Sequence, residues 1–490
     1  MHPATAAAVV PTNAQPVVVV GAGPVGLAAA ANLAERGELF LVLERGVSVG
    51  AAVRAWGHVG MFSPWRYNVD KAARRLLETA DWRSPDQEAL PTGHDLVDQY
   101  LVPLARHAAI APFLRFNAEV TAIGRKDFDK VRTKGRDVQP FELHLASGEV
   151  IEARAVIDAS GTWGRPNPAG SNGLYAVGER ESADHVSYGI PDVLRAARAR
   201  FAGKRVMVVG SGHSAINVLL DLQSLAREAA GTEIVWVMRR ENLDTVWGGG
   251  AGDALEARGL LGERARLAVE AGMLKVLSPF RVRAIRRVNG SLEVAGTQNS
   301  ELSSVAVDEV IVATGFRPNL DMLNEIRVQV DPWLECTAAL GPLIDPNLHS
   351  CGTVRPHGAR ELAHPEPGFF VVGMKSYGRA PTFLLATGYE QARSVTAFLA
   401  GDLAAADRVE LELPETGVCS TDNSLAQSSC CGKAPSVAVV GVEATTGGCC
   451  GGPAPAGVDA CCVQDADAKA AEDEGCGCAT SAPPLLQIAR

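Results

Sequence analysis

Two stretches of the chain repeat one pattern, and that pattern admits few folds. In the first, the apolar run Val17–Val20 leads without a gap into Gly21-Ala22-Gly23-Pro24-Val25-Gly26. Leu27 to Arg36 follows, Ala-rich and helix-forming; Gly37 ends it, and Phe40-Leu41-Val42-Leu43 is a second apolar run closed by Glu44. Strand, GxGxxG, helix, strand, acid is a Rossmann βαβ unit. Its first glycine permits a tight turn, its second lets a diphosphate approach the backbone at the helix N-terminus, and its third lets helix and strand pack closely. Glu44 stands 18 residues after Gly26, where a carboxylate accepts hydrogen bonds from ribose hydroxyls.

The second copy begins at Arg205–Val209, continues through Gly210-Ser211-Gly212-His213-Ser214-Ala215 as GxGxxA, and predicts a helix over 216–230 and a strand over 233–238. This strand runs into Arg239-Arg240 where the first unit has Glu44. Two guanidiniums suit a 2′-phosphate, and the acid that would select NAD is missing, so NADPH is favoured.

Two further segments also repeat. Val156-Ile157-Asp158-Ala159-Ser160-Gly161 and Val310-Ile311-Val312-Ala313-Thr314-Gly315 each place a short apolar strand before a turn of small residues. Each closes a dinucleotide domain and returns the chain to the other. Val120 and the alternation from Phe141 to Ala146 suggest antiparallel strands interrupting the first domain. Phe369–Gly373 reads as a late strand and Thr387–Leu399 as a last helix, whose N-terminal N–H groups suit an anionic ring. The expected fold is α/β: two Rossmann-like, three-layer ββα domains, the second inserted in the first, with a disordered Cys-rich C-terminal tail. The boundaries are 16–165 and 315–413 for the two parts of the first domain, 166–314 for the second, and 414–490 for the tail.

A length of 490 residues is ample for such a plan, at about 150 residues per domain. Lys and Arg number 46 against 56 Asp and Glu, a net charge of −10, and no basic stripe stands out, which argues against nucleic acid as a partner. Met1 to Ala8 carries no basic residue and Val17–Val20 runs straight into Gly21, so neither a signal peptide nor a membrane span is expected, and a cytoplasmic location is.

From about 16 to 412 the chain resembles the flavoproteins with two dinucleotide-binding domains, a superfamily that includes flavin-containing monooxygenases, thioredoxin reductases and disulfide reductases. The resemblance implies FAD on the first domain, at Gly21, Gly23, Gly26 and Glu44, with Val120 touching the adenine through its backbone. It implies NADPH on the second, at Gly210, Gly212, Ala215, Arg239 and Arg240. Ser160, Gly161 and Gly373 join the cofactor-binding set. Gly50-Ala51-Ala52-Val53-Arg54-Ala55-Trp56 sits where monooxygenases carry a similar turn beside the flavin, which brings in Arg54. There is one departure: the late strand of the family usually ends in an Asp that holds the ribityl chain, and here Gly373 is followed by Met374.

Disulfide reductases need a pair of cysteines beside the flavin, and residues 45 to 335 contain none. Electrons from NADPH would then pass through the flavin to oxygen, to a substrate, or to a thiol arriving from elsewhere. Asp184-His185-Val186-Ser187-Tyr188 and Phe201-Ala202-Gly203-Lys204-Arg205-Val206 resemble the segments that monooxygenases carry between their domains, although the Gly178-to-His185 spacing is longer. Trp56 to Tyr67 is rich in aromatic and polar residues and suits a wall for the reactive face of the flavin. His58 in that loop is the candidate catalytic residue, since imidazole moves protons near neutrality.

Nine of the eleven cysteines fall within the last 72 residues, a segment with eight acids against three bases and little apolar content. Four close pairs stand out: Cys430-Cys431, Cys449-Cys450, Cys461-Cys462 and Cys476-Gly477-Cys478. No His follows His364, so a metal site there is all-sulfur. Thiolates are soft donors, and vicinal pairs with a third thiol nearby suit a pyramidal ion such as trivalent arsenic better than tetrahedral zinc. The tail resembles those of proteins from bacterial arsenic-resistance clusters. That implies a monooxygenase acting with NADPH and O2 on a small-molecule substrate, a trivalent arsenical, with the tail capturing the metalloid. Two alternatives stay open: an NADPH-dependent reductase using tail dithiols as its relay, and a flavoprotein whose tail only scavenges metal.

Overall fold

Strand β1 (Val17–Val20), four buried valines, lies at the centre of a parallel sheet. The computed structural model describes residues 15–247, 253, 255–348, 354, 356–380 and 384–411. The first part of the chain adds β2 (Phe40–Leu43), β3 (Leu114–Arg115), β4 (Val120–Arg125), β5 (Phe141–Leu145), β6 (Val150–Ala153) and β7 (Ala155–Asp158). A second block supplies β8 (Val186–Tyr188), β9 (Arg205–Val209), β10 (Glu233–Val237), β11 (Lys275–Leu277), β12 (Phe280–Val288), β13 (Ser291–Gln298), β14 (Glu301–Val307) and β15 (Glu309–Val312). Strand β16 (Phe369–Val371) comes last.

These strands form two parallel sheets, in the orders β16-β7-β1-β2-β3 and β11-β10-β9-β15-β8. Each has an antiparallel companion, β4-β5-β6 in one case and β12-β13-β14 in the other. Because β16 pairs with β7, the chain leaves the first domain after Asp158, builds the second, and returns.

The layering follows from side-chain alternation along each strand. Val17 and Val19 pack with the helix Pro24–Glu35, whereas Val18 and Val20 meet Ile123, Phe141 and Leu143 from the antiparallel sheet. In the second domain Val206 and Val208 face the helix His213–Glu228, while Met207 and Val209 face Phe280, Val282 and Val294. Both domains therefore have the expected ββα layers. The ββα plan implies the β12-β13-β14 sheet, but its individual strands were not placed from the sequence. Its alternation is broken by a register shift between Val282 and Ala284, and its outer face is rich in arginine.

Helix Pro24–Glu35 turns a row of alanines to the interior, Ala28 to Ala31 all fully buried, and small side chains let it lie close both to the sheet and to the helix Leu385–Leu399. Gly37 ends it at φ +66°, the left-handed turn that favours glycine at this position. The two crossings between domains run side by side. Asn167 N–H donates to Gly315 O at 2.9 Å and Arg317 N–H to Arg165 O at 3.0 Å, while the rings of Trp163 and Phe316 stack with centroids 4.7 Å apart. No helix among the described residues is long and apolar enough to cross a membrane. The eight paired tail cysteines, from Cys430 to Cys478, lie outside the described residues.

Candidate dinucleotide-binding sites

The first cradle is built by three glycines with three different jobs. Gly21 has φ +102°, and a Cβ there would lie 2.8 Å from Ala159 O, so the turn needs glycine both for its torsion and for its contact with β7. A Cβ at Gly26 would lie 1.9 Å from Gly21 O, which forces the close helix–turn approach to be glycine-only. At Gly23 nothing stands within 4 Å of an added Cβ. Gly23 is the N-cap of helix Pro24–Glu35, and no side chain caps it. Open space in front of uncapped helical N–H groups is what a diphosphate requires.

Glu44 is buried at the end of β2 and held by two backbone donors, Ala22 N–H to Oε2 and Gly46 N–H to Oε1, each at 2.8 Å. These bonds fix the carboxylate beside the glycine turn and leave lone pairs for a ribose. Gly50 N–H donates to Ala22 O at 3.0 Å, which sets the Gly50 turn and the short helix Ala51–Arg54 next to the same loop. Arg54 itself pairs with Asp98 at 2.8 Å near the surface. Val120 opens β4, paired with Leu145.

The second cradle repeats the geometry with one change. Gly210 has φ +135°, and a Cβ there would meet Ala313 O at 2.3 Å, whereas the position of Gly212, again an uncapped N-cap, is open. The third position is Ala215, whose methyl group is fully buried. Trp236 Nε1–H donates to Gly210 O at 2.7 Å and so fixes the turn from β10, a role the sequence did not disclose. Arg239 and Arg240 follow the end of β10; Arg239 is exposed and its Nη1 donates to Ser171 O at 2.9 Å. The residues present fit a dinucleotide in each cradle.

The aromatic loop joins the two. Gly57 packs against the ring of His94, and Met61 N–H donates to Pro91 O at 2.8 Å. At the tip, the Phe62 ring lies 5.3 Å from that of His213, the first residue of the second domain's nucleotide helix. Burial lowers the pKa of His213. It also lowers that of His58, with Arg195 and His94 adding to the effect and Asp192 opposing it, and His58 Nε2 is buried with no hydrogen-bond partner. By contrast, His185 Nδ1 pairs with Glu309 at 3.0 Å and Tyr188 OH donates to the buried Glu179 at 2.7 Å, so these two residues brace the second domain.

A third group lies where β7 and β16 end. Lys375 Nζ donates to Asp158 Oδ2 at 2.7 Å and to Ser160 Oγ at 3.1 Å, and Ser160 Oγ–H donates to Asp158 Oδ1 at 2.6 Å. Gly161, next along, has open space at its Cβ position, and Gly373 packs against Val25 at the start of the first nucleotide helix. Ser160, Gly161 and Gly373 are thus gathered beside the first cradle. Asp158 and Lys375 were missed, although Asp158 ends a strand legible in the sequence. Among the described residues no cluster of His, Cys, Asp and Glu is arranged to hold a metal ion.

Residues 18–338 match the family model described as pyridine nucleotide-disulphide oxidoreductase. The chain belongs to that family, and it is an oxidoreductase of the FAD- and NADP-dependent flavoprotein class. It is 32% identical over 212 residues to indole-3-pyruvate monooxygenase YUCCA1 of Oryza sativa subsp. japonica, a match covering 42% of this chain and 44% of that protein. It is 26% identical to a ferredoxin–NADP reductase of Thermus thermophilus, over 69% of this chain and 84% of the relative. Among solved structures, the cadaverine monooxygenase DfoA of Erwinia amylovora, bound to FAD, shares the fold with a TM-score of 0.58 at 15% identity, covering 82% of this chain and 97% of the other. The chain thus spans less than half the length of its monooxygenase relative YUCCA1.

Proposed function

We propose that the protein is an NADPH- and FAD-dependent monooxygenase that oxidises a trivalent arsenical, with the tail cysteine pairs capturing the metalloid. The observation that carries the oxygenase reading is the thiol inventory of the body. The first 335 residues contain no cysteine; of the two that follow before the tail, Cys351 lies outside the described residues and Cys336 is buried, its thiol pushed up to about 12 by desolvation and by Asp331. A thiol held protonated is no relay, since the thiolate is the reactive form. In this reading FAD, bound at Gly21, Gly23, Gly26 and Glu44, supplies hydride acceptance from NADPH and activation of O2.

The chain's own residues hold and screen the reactants. Arg239 and Arg240 read the 2′-phosphate, and the Trp56–Tyr67 loop excludes water. His58, neutral near pH 7 and without a partner at Nε2, accepts or returns a proton there. The arsenical is supported by the eight paired tail thiols, whose soft donors suit As(III).

The deciding experiment measures NADPH consumption and O2 uptake together, with and without inorganic and methylated trivalent arsenicals. Stoichiometric, arsenical-dependent uptake of both supports the proposal; arsenical-independent uptake that ends entirely in hydrogen peroxide contradicts it. A second reading is an NADPH-dependent reductase, favoured by the longer match to the ferredoxin–NADP reductase relative. It requires turnover of an electron acceptor without O2.

A further inference from the structure

The sheet order gives the first cradle a direction. Glu44 closes β2 on one side of β1, while Asp158 closes β7 on the other, with β16 beyond it. With the ribose of the adenosine at Glu44 and the diphosphate at the helix that starts after Gly23, the remainder of FAD must run toward the ends of β7 and β16. Its first segment on that side is the ribityl chain, a row of hydroxyl groups. This orientation rests on the FAD placement proposed above.

At that end stands a buried ammonium. Lys375 is 2% exposed and Asp158 0%, and Lys375 Nζ has two acceptors, Asp158 Oδ2 and Ser160 Oγ. A lysine ammonium carries three N–H donors. The third has no protein acceptor among the described residues, and an unmet donor in a desolvated place is costly. The group opens toward the cradle rather than into the core: Ser160 is exposed, Gly161 has open space at its Cβ position, and Gly373 holds the turn carrying Lys375 against Val25. The pairing with Asp158 fixes the ammonium in place and cancels its net charge, so what it offers a ligand is a directed donor.

We infer that Lys375 is an FAD-binding residue that donates its third N–H to a ribityl hydroxyl oxygen, with Asp158 and Ser160 as its positioning residues. The contact lies on the flavin side of the diphosphate, so ADP, which ends at the diphosphate, does not reach it.

The test uses full-length protein stripped of flavin and reloaded, with FAD affinity followed by quenching of flavin fluorescence and ADP affinity by competition. Lys375→Met alone strands the Asp158 carboxylate, so the informative variant is Asp158→Asn with Lys375→Met, which removes both charges together. Its ADP affinity, which reports an intact glycine turn, should equal that of the unaltered protein, while FAD binds at least about tenfold more weakly. Asp158→Asn with Lys375→Gln, which likewise removes both charges and sets an amide in place of the ammonium, serves as a second variant and should weaken FAD by a similar factor. Unchanged FAD affinity in both variants would show that the ion pair only supports the fold. An equal loss for ADP and FAD would place the contact on the diphosphate and overturn the ribityl assignment. Failure of the unaltered protein to take up FAD would instead remove the placement on which the inference rests.

Discussion

Phe62 lays its ring against that of His213, with centroids 5.3 Å apart and planes tilted by 42°. A loop of the first dinucleotide domain thereby touches the nucleotide helix of the second, at the end where the second cofactor's diphosphate would bind. The pair gives the two sites a physical link. Removing it with Phe62→Ala forfeits an aromatic contact worth about 0.5–1.5 kcal/mol. The KM for NADPH should rise by roughly two- to tenfold, while FAD affinity, read by fluorescence quenching, stays unchanged.

The glycines of the first turn separate folding from binding. Gly26→Ala puts a methyl group 1.9 Å from Gly21 O and should lower the thermal midpoint even without flavin. Gly23→Ala meets nothing within 4 Å, so the flavin-free protein should melt as before. Its methyl group occupies the space a diphosphate needs, and FAD should be lost on gel filtration. Flavin retention by Gly23→Ala at the level of the unaltered protein would contradict the placement of the diphosphate.

Arg239 and Arg240 are the groups assigned to the 2′-phosphate. Replacing both with Ala should raise the KM for NADPH by tenfold or more, since charge-assisted hydrogen bonds are worth about 1.5–3 kcal/mol each. The KM for NADH should barely move. Equal losses for both nucleotides, measured by initial rates, would assign these arginines a structural role.

His364 gives a pH signature with a definite sign. Burial lowers its pKa to about 4, with Asp158 opposing, and its Nε2 is buried without a partner. The folded state resists the proton that the unfolded chain accepts near pH 6.5. The stability contribution is therefore present above about pH 6.5 and is lost as pH falls toward 4, by up to about 3 kcal/mol. His364→Gln removes this loss. In urea titrations, the stability of the variant relative to the unaltered protein should improve steadily from pH 7 to pH 4, and a constant difference would contradict the shift.

Truncation after Pro414 tests the tail. Capture predicts unchanged flavin content and unchanged NADPH oxidation at saturating arsenical, with activity reduced at low arsenical. A fully flavin-loaded but inactive truncation would favour the reductase reading. Unaltered activity at every concentration would leave the tail as a scavenger.

Local chemistry settled much of this in advance. An apolar run meeting GxGxxG, followed by a helix and a strand ending in Glu44, has one common structural solution. Both copies of the pattern, the late strand and the last helix fold close to the positions read from the sequence, because strand period and glycine torsions are properties of neighbouring residues. The individual strands of the second domain's companion sheet escaped, and in β12 the register shift between Val282 and Ala284 interrupts the alternation by which a strand is recognised. What only the tertiary structure decided are pairings between residues far apart in the chain. Lys375 meets Asp158 across 217 positions and Trp236 fixes Gly210 from the neighbouring strand, while Phe62 reaches His213 across the domains. No local pattern encodes these contacts. They arise because parallel strands align their carboxyl ends on one edge of a sheet, which brings the residues after β1, β7 and β16 together around one cradle.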